Sequence, residues 1–400
     1  MNFTHTRRRL EGLGILRIVV LHVYNLNRCI LLQVPTVLLA GCGQVAKTMA
    51  KIFFVGATGH IGGAVLDLIS SSYSDTLSVR VLVRDQQKAD QLVAQYQYIV
   101  SVIGNLDSLE LLEAESRDAY IVISAGPDVT HNAGIRAILK GLGGRSNKGY
   151  YIHTSGAALI WDKPDGSKPG TRIWDDVADI KTLTSMPEGA YHRAEDKAVF
   201  EASSEVNVAI ISPCVVYGLS PSRVHPLPLS LPLIMKPIRA LSSGFSISSG
   251  KNIQSYIHVV DVARMYLLLL SHALQQSQAS AETKPETHIW GPEAYYFAEQ
   301  EELSFKEFME LVLLALQKHG QLAGSEIKEI DVGEVAEAMG IANGLPEPDS
   351  WAMHVAIMFG TNMRVRSSRA RALGWKPQDA GVAQTLDEVL RRYLEAEEGG

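Results

Sequence analysis

The chain has 400 residues, roughly two to three times the usual size of one domain, and can bury a large core or two unequal lobes. Hydrophobic residues make up 46% and charged residues 20%, too apolar for wholesale disorder, and a formal charge of -6 provides no broad basic surface for nucleic acid. Three cysteines, Cys29, Cys42 and Cys214, are too few for a disulfide scaffold and lack metal-ligand spacing, which points to a reducing, cytoplasmic compartment and no metal site.

Residues 1–48 carry Arg7, Arg8, Arg9, Arg17, Arg28 and Lys47 against Glu11 alone. Three readings stay open for them. Met49 opens Met49-Ala50-Lys51-Ile52-Phe53-Phe54-Val55 directly ahead of a first strand, so the stretch reads as an extension outside the fold. Its Arg-rich, acid-poor composition also suits a mitochondrial presequence, although its apolar residues run in blocks and not along one helical face. A structured arm is the third. Arg17, Asn25, Asn27, Arg28 and Pro35 interrupt the window of about 20 apolar residues that a bilayer requires, and no later stretch supplies one.

Two glycine clusters compete for a nucleotide. Gly41-Cys42-Gly43-Gln44-Val45-Ala46 fits G-x-G-x-x-A, but no helix fits between it and the next strand to hold an anion. The second has its full context. Lys51–Val55 reads as a short strand, Gly56-Ala57-Thr58-Gly59-His60-Ile61-Gly62-Gly63 as the turn, and Ala64–Ile69 as an amphipathic helix. Gly56 allows the tight turn, Gly59 the approach of a pyrophosphate, and Gly62 the packing of helix on strand, with Thr58, His60 and Ile61 lining the turn. The next strand, Ser78–Val83, ends in Arg84-Asp85, where an adenine ribose would lie. Arginine there pairs with a 2′-phosphate, so NADP(H) is favoured and NAD(H) is the alternative.

Further strands are expected at Tyr98–Ile103, closing on Gly104-Asn105-Leu106-Asp107, and at Ala119–Ile123, closing on Ser124-Ala125-Gly126. A helix with Ile135, Ile138 and Leu139 follows, and then Gly149–His153 runs into Thr154-Ser155-Gly156. Strands alternating with helices imply a Rossmann-type α/β fold, a doubly wound parallel sheet whose ligands lie beyond the carboxyl ends of its strands. Asn105, Leu106, Ser124, Ala125 and Gly126 are therefore candidate cofactor contacts.

From Met49 onward this order of motifs resembles the extended and atypical short-chain dehydrogenases/reductases, in the epimerase/dehydratase-like group. Val208–Gly218, with Pro213, Val216 and Tyr217-Gly218, looks like the family's strand and turn beside the nicotinamide. Ser255–Ala263 resembles its His-Val-x-Asp-Val-Ala segment, and Gly360–Pro377 its closing Ala-x-x-Leu-Gly-Trp-x-Pro element. The resemblance implies a nucleotide domain of residues 49–220 and 255–285, with a smaller, mainly helical substrate lobe of 221–254 and 286–400. It implies cofactor contacts from Pro213 and Val216. Pro221, Pro226, Pro228 and Pro232 read as a loop, either a lid or a plain connection, and 271–287 as an exposed low-complexity bend.

In this family a tyrosine moves the proton, a lysine four residues later lowers its pKa, and a serine or threonine orients the carbonyl. The resemblance makes Ser155, Thr154, Tyr191 and Lys197 the catalytic candidates. The spacing departs, because Tyr191 and Lys197 are six residues apart, rotated about 120° on a regular helix. Either Tyr191 lies just ahead of the helix, with Lys197 or Arg193 holding the cofactor ribose, or His192 serves as the acid. His192, Arg193 and Asp196 match a His-Arg-x-x-Asp pattern of similar atypical members. The expected activity is NADP(H)-dependent reduction of a carbonyl on a small organic molecule. An epimerase or dehydratase of a sugar nucleotide, and a non-catalytic sensor resembling the fungal nitrogen-metabolite repressor, are the alternatives. Expected partners are a small-molecule substrate, with a homodimer as an open possibility; neither nucleic acid nor membrane is expected.

Overall fold

The computed structural model describes residues 49–126, 131–278, 288–340 and 351–398. The expectations for residues 1–48, with the Gly41–Ala46 cluster, Cys29 and Cys42, lie outside these residues, as does 279–287 of the expected bend.

Seven strands form one sheet in which every pairing is parallel: β1 (Ala50–Val55), β2 (Leu77–Val83), β3 (Ile99–Ile103), β4 (Ile121–Ser124), β5 (Tyr150–Thr154), β7 (Asn207–Pro213) and β11 (Tyr295–Ala298). The strand β6 (Trp174–Asp175) belongs elsewhere. The order is β11-β7-β5-β4-β1-β2-β3, so the chain winds outward one way through β2 and β3 and the other way from β4. The crevice beyond the carboxyl ends of β1 and β4 is thus the switch point where ligands bind in such sheets.

Helices cover both faces, and the central strands accordingly read as unbroken apolar runs. Ile52 pairs with Val79 and Ile121, Phe54 with Val81 and Ile123, and Phe53 and Phe54 are wholly buried. The helices α1 (His60–Tyr73), α2 (Gln86–Gln95), α3 (Leu109–Asp118) and α4 (Asn132–Gly143) supply the crossovers between the first five strands. Close contacts between backbones set their positions. A β-carbon on Gly62 would fall 2.0 Å from the Gly56 carbonyl oxygen, and one on Gly134 2.6 Å from that of Leu106.

A second core gathers Tyr217, Phe245, Tyr256, Phe305, Phe359 and Leu390 with the helices Ser230–Leu241, Phe305–Lys318 and Val382–Glu398. Its sheets are small: β8 (Val215–Tyr217), β10 (Ile253–His258) and β12 (Glu301–Ser304) form one, and β9 (Gly244–Ile247) pairs with β13 (Ile327–Ile330). A further pair, β14 (Val365–Arg366) with β6, ties the carboxyl-terminal region to the segment after β5.

Three boundaries differ from the sequence reading. β11, assigned to the smaller lobe, is the edge strand of the large sheet, where β7 gives it a fully buried partner. Residues 271–278 continue the helix Val259–Gln278 and do not begin a bend. Pro232 lies in the first turn of the helix Ser230–Leu241, where its missing N–H has no intrahelical acceptor to leave unpaired, so the proline-rich loop ends earlier.

Gly62→Ala must push α1 away from the turn and should cost about 1–3 kcal/mol. Gly189→Ala, where nothing lies within 4 Å, should change stability by less than about 0.5 kcal/mol. Thermal unfolding of both variants checks this, and equal melting temperatures would show that the Gly56–Gly62 contact does not hold the helix.

Candidate functional site

Beyond β1 the chain turns at Gly56, whose φ of 85° suits glycine. Gly59 N donates to the Gly56 carbonyl at 3.0 Å and α1 begins at His60. No side chain caps α1 and no acidic residue stands in its first turn, so its free amides and dipole still favour an anion. A β-carbon on Gly56 would stand 3.1 Å from Gly126 N, and Ala125 N donates to the Val55 carbonyl at 3.0 Å. The first turn and the Ser124–Gly126 end of β4 therefore meet as one surface. These features fit the pyrophosphate of a dinucleotide: a turn with glycine at 56, 59 and 62, facing uncapped helix amides.

The other cofactor candidates surround it unequally. The Thr58 carbonyl accepts from Ser222 Oγ at 3.3 Å, and the His60 carbonyl from Ser220 Oγ at 2.7 Å. Burial lowers the His60 pKa to about 4, and the neutral ring donates from Nε2 to the Gly218 carbonyl at 2.9 Å. Ile61 is half-buried against the core. Arg84 is exposed past β2, while Asp85 caps α2 by accepting from Lys88 N at 2.8 Å. Asn105 Oδ1 accepts from Asp107 N at 2.9 Å and closes its own turn, and the Leu106 carbonyl packs on Gly134 of α4. Pro213 ends β7 and is buried, whereas Val216, in β8, is half-buried.

The catalytic candidates are not assembled as expected. Thr154 and Ser155 are each 1% exposed. Thr154 Oγ1 is bonded to the Ser124 carbonyl and to the Tyr266 hydroxyl, and Ser155 Oγ donates to Asp196 Oδ2 at 3.0 Å. Lys197 points outward to an ion pair with Glu188 at 2.7 Å. Tyr191 lies ahead of the helix Arg193–Glu201, its ring stacked on Trp161 at 5.6 Å and tilted on His354 at 4.5 Å. Burial and the charge of Glu195 push its phenol upward, the reverse of what a neighbouring lysine does. Lys197, one of the two residues expected to hold the cofactor ribose, is instead turned by the helix toward Glu188.

His192 occupies the centre instead. It takes a φ of 65° immediately before the helix, an uncommon conformation for a residue with a β-carbon. Its Nε2 stands 2.5 Å from where a β-carbon on Gly156 would lie, so only glycine at the end of β5 admits the ring. Burial lowers its pKa to about 3, with His153 and His354 adding to the shift, and the ring is neutral near pH 7. One turn on, Asp196 is buried with Oδ1 unpartnered, and burial raises its carboxyl to about 8. The four-residue spacing of His192 and Asp196 was visible in the sequence. Gly156, Trp161 and His354 gave no local signal, since their role depends on what they meet across the fold. Among the described residues no group of three or more His, Cys, Asp or Glu could hold a metal, and no helix is long and apolar enough to cross a membrane. An apolar crevice in the second core, between β8, β10 and four helices, has no His, Cys, Asp or Glu in its lining.

Asp196 is protonated in the fold near neutral pH but ionises above about pH 4 when unfolded, so its stabilising contribution is lost as the pH rises toward 8. Asp196→Asn, which keeps the shape and can still accept from Ser155, should flatten the decline of melting temperature from about pH 5 to 8. Parallel profiles for variant and wild type would show that the folded carboxyl is already ionised.

No family model matches the chain. A curated protein of an Acremonium species, oxidase ucsJ, is 29% identical over an alignment of 358 residues that covers 86% of this chain and 98% of that one. Among solved structures, a dTDP-glucose 4,6-dehydratase from Streptomyces venezuelae is similar with a TM-score of 0.57 at 16% identity, covering 86% of this chain and 97% of its own. The UDP-glucose 4-epimerase of Thermotoga maritima gives 0.56 at 14%, with 86% and 99% covered. Vestitone reductase from alfalfa gives 0.53 at 16%, with 87% and 99% covered. At such identities the likeness to the solved structures establishes the fold.

Proposed function

From the fold of the extended short-chain dehydrogenases/reductases, we propose that this protein is an NAD(P)-dependent oxidoreductase that prefers NADP(H) and acts on a carbonyl or alcohol group of a small organic molecule. One observation carries the reading: the Gly56–Gly62 turn, with glycine at positions 56, 59 and 62, presents uncapped amides of α1 at the sheet's switch point, against Ala125 and Gly126. The Acremonium relative, named an oxidase, supports redox chemistry. Exposed Arg84 supports the phosphorylated cofactor, because Asp85 is engaged in capping α2.

A nicotinamide dinucleotide bound on this turn would supply the hydride donor or acceptor. The proton is the chain's own task, and His192 is the group placed for it. Its imidazole lies beyond the end of β5 and is neutral; burial disfavours the imidazolium, so a proton taken there is passed on and not kept. In the oxidative direction the substrate's O–H bond breaks and its proton passes to the imidazole; in the reductive direction the imidazolium returns it to the substrate oxygen. Ser155 Oγ bonds Asp196, one turn after His192 in the chain, and the ring of Tyr191 stands edge-on against that of His192. A dinucleotide sensor without turnover is the second reading, favoured by the raised pKa of Tyr191 and by the outward Lys197.

Titrating NADPH and NADH into the full chain tests the cofactor reading. NADPH should bind at least about 10-fold more tightly, and Arg84→Ala should erase that preference while sparing NADH. NADH preference would favour an epimerase or dehydratase; binding without turnover on a broad carbonyl panel would favour the sensor. With a substrate in hand, His192→Ala should lower turnover about 10²-fold at unchanged cofactor affinity, and Tyr191→Phe should retain most activity. The opposite ranking would restore Tyr191 as the proton-moving group.

A further inference from the structure

The apolar crevice of the second core is walled by Val215 and Tyr217 of β8, by Tyr256 of β10, and by Leu231, Phe308 and Leu386 from the surrounding helices. None of its lining residues carries a charge. Its polar side chains bond within the protein: the Tyr217 hydroxyl donates to Gln300 Oε1 at 2.8 Å, Gln254 Nε2 to the Met358 carbonyl at 2.6 Å, and Thr385 Oγ1 to the Gly381 carbonyl at 3.1 Å. Such walls gain little from a polar ligand and much from apolar surface withdrawn from water. Leu229, between the lining residues Pro228 and Ser230, is 65% exposed, so the crevice meets solvent at the start of the helix Ser230–Leu241.

Two connections tie this crevice to the site. The helix Trp351–Met358 brings the His354 ring to 4.5 Å from that of Tyr191, which stands 4.6 Å from His192. Met358, four residues after His354 and on the same side of that helix, lines the crevice, whereas Met353 and Ile357 line a separate groove. Four residues advance a helix by about 6 Å, so the crevice begins about one turn from the rings beside His192. The second connection is Gly218, which lines the crevice and whose carbonyl accepts from His60 in the first turn of α1. A sugar nucleotide would bring a diphosphate, for which this lining holds no cation.

We propose that the crevice holds an apolar chain or ring of the substrate, so that the protein acts on hydrophobic alcohols or carbonyl compounds and not on sugar nucleotides. The proposal rests on the oxidoreductase reading above and names its substrate class. The reacting carbon stands at His192, and the apolar group, about one helical turn away, is withdrawn from water between Tyr217, Tyr256, Phe308 and Met358. Each methylene buried there strengthens binding about threefold to fourfold.

The test titrates the full chain with 1-butanol, 1-hexanol, 1-octanol and 1-decanol by calorimetry, with UDP-glucose as a competitor and NADPH and NADH binding measured on the same samples. Wild-type affinity should rise about threefold to fourfold per added carbon before levelling off. Thr385→Phe, which narrows the crevice at a half-buried position, should bring the levelling-off to a shorter chain and weaken 1-octanol at least about 10-fold. Ile234→Ala, which widens it, should move the levelling-off to a longer chain. Both should leave NADPH affinity within about twofold. Opposite shifts from the two variants cannot come from a loss of folding. Affinity independent of chain length, or a rise that both variants leave unchanged, would remove the apolar group from the crevice, and displacement of 1-octanol by UDP-glucose would give the crevice to a sugar nucleotide; each overturns the proposal. Graded binding that responds to both variants, in a chain that binds neither NADPH nor NADH, would keep the apolar site and refute the oxidoreductase reading instead.

Discussion

The carbonyl of Gly56 faces α1 across a gap too narrow for a β-carbon at Gly62. This contact fixes the amino terminus of α1 against the end of β1, and the geometry around it follows. Because α1 starts there, its uncapped amides open at the point where the sheet's winding reverses. Because Gly56 carries no side chain, the end of β4 closes in through Ala125 and Gly126. Because Gly63 carries none, Ser222 can lie on the helix and draw the following loop over the turn.

The same exchange of a side chain for space recurs around the crevice, and there the space is taken by imidazoles. His192 fills the position of a β-carbon on Gly156, and His258 approaches that of Gly218, which itself adopts a φ of 86°. His60 holds the Gly218 carbonyl from the other side. Burial lowers the pKa of all three rings, against the pull of Asp379 and Asp261 in the case of His258. Rings kept neutral can donate or accept hydrogen bonds without adding positive charge. Charge stands instead at the carboxyl end of β2, where Arg84 is exposed and Lys88 pairs with Asp85.

The architecture was legible because buried parallel strands have a strong signature. Val55-Gly56, Val83-Arg84 and Ser124-Ala125 each mark the step from an apolar run to a turn, and the structure places strand ends there. The site was legible only where function depends on backbone. Glycines at positions 56, 59 and 62 announce themselves by spacing, whereas the role of Gly156 depends on a ring 36 residues later that enters through a left-handed backbone at His192. Lys197 appeared catalytic because lysine is the family's residue, but its direction is set by Glu188 and the helix start at Arg193. β11 escaped assignment because four apolar residues next to a polar bend carry no periodicity that distinguishes one sheet from another.

Crystallographic analysis of the protein with NADP+ bound measures the central arrangement directly. The expected electron density has the pyrophosphate on the amides of α1 beside Gly59, the 2′-phosphate at Arg84, and the nicotinamide ring next to His192 beyond β5. A dinucleotide bound with its nicotinamide away from His192, or density absent from the Gly56–Gly62 turn at saturating cofactor, would contradict a redox site built on that glycine contact.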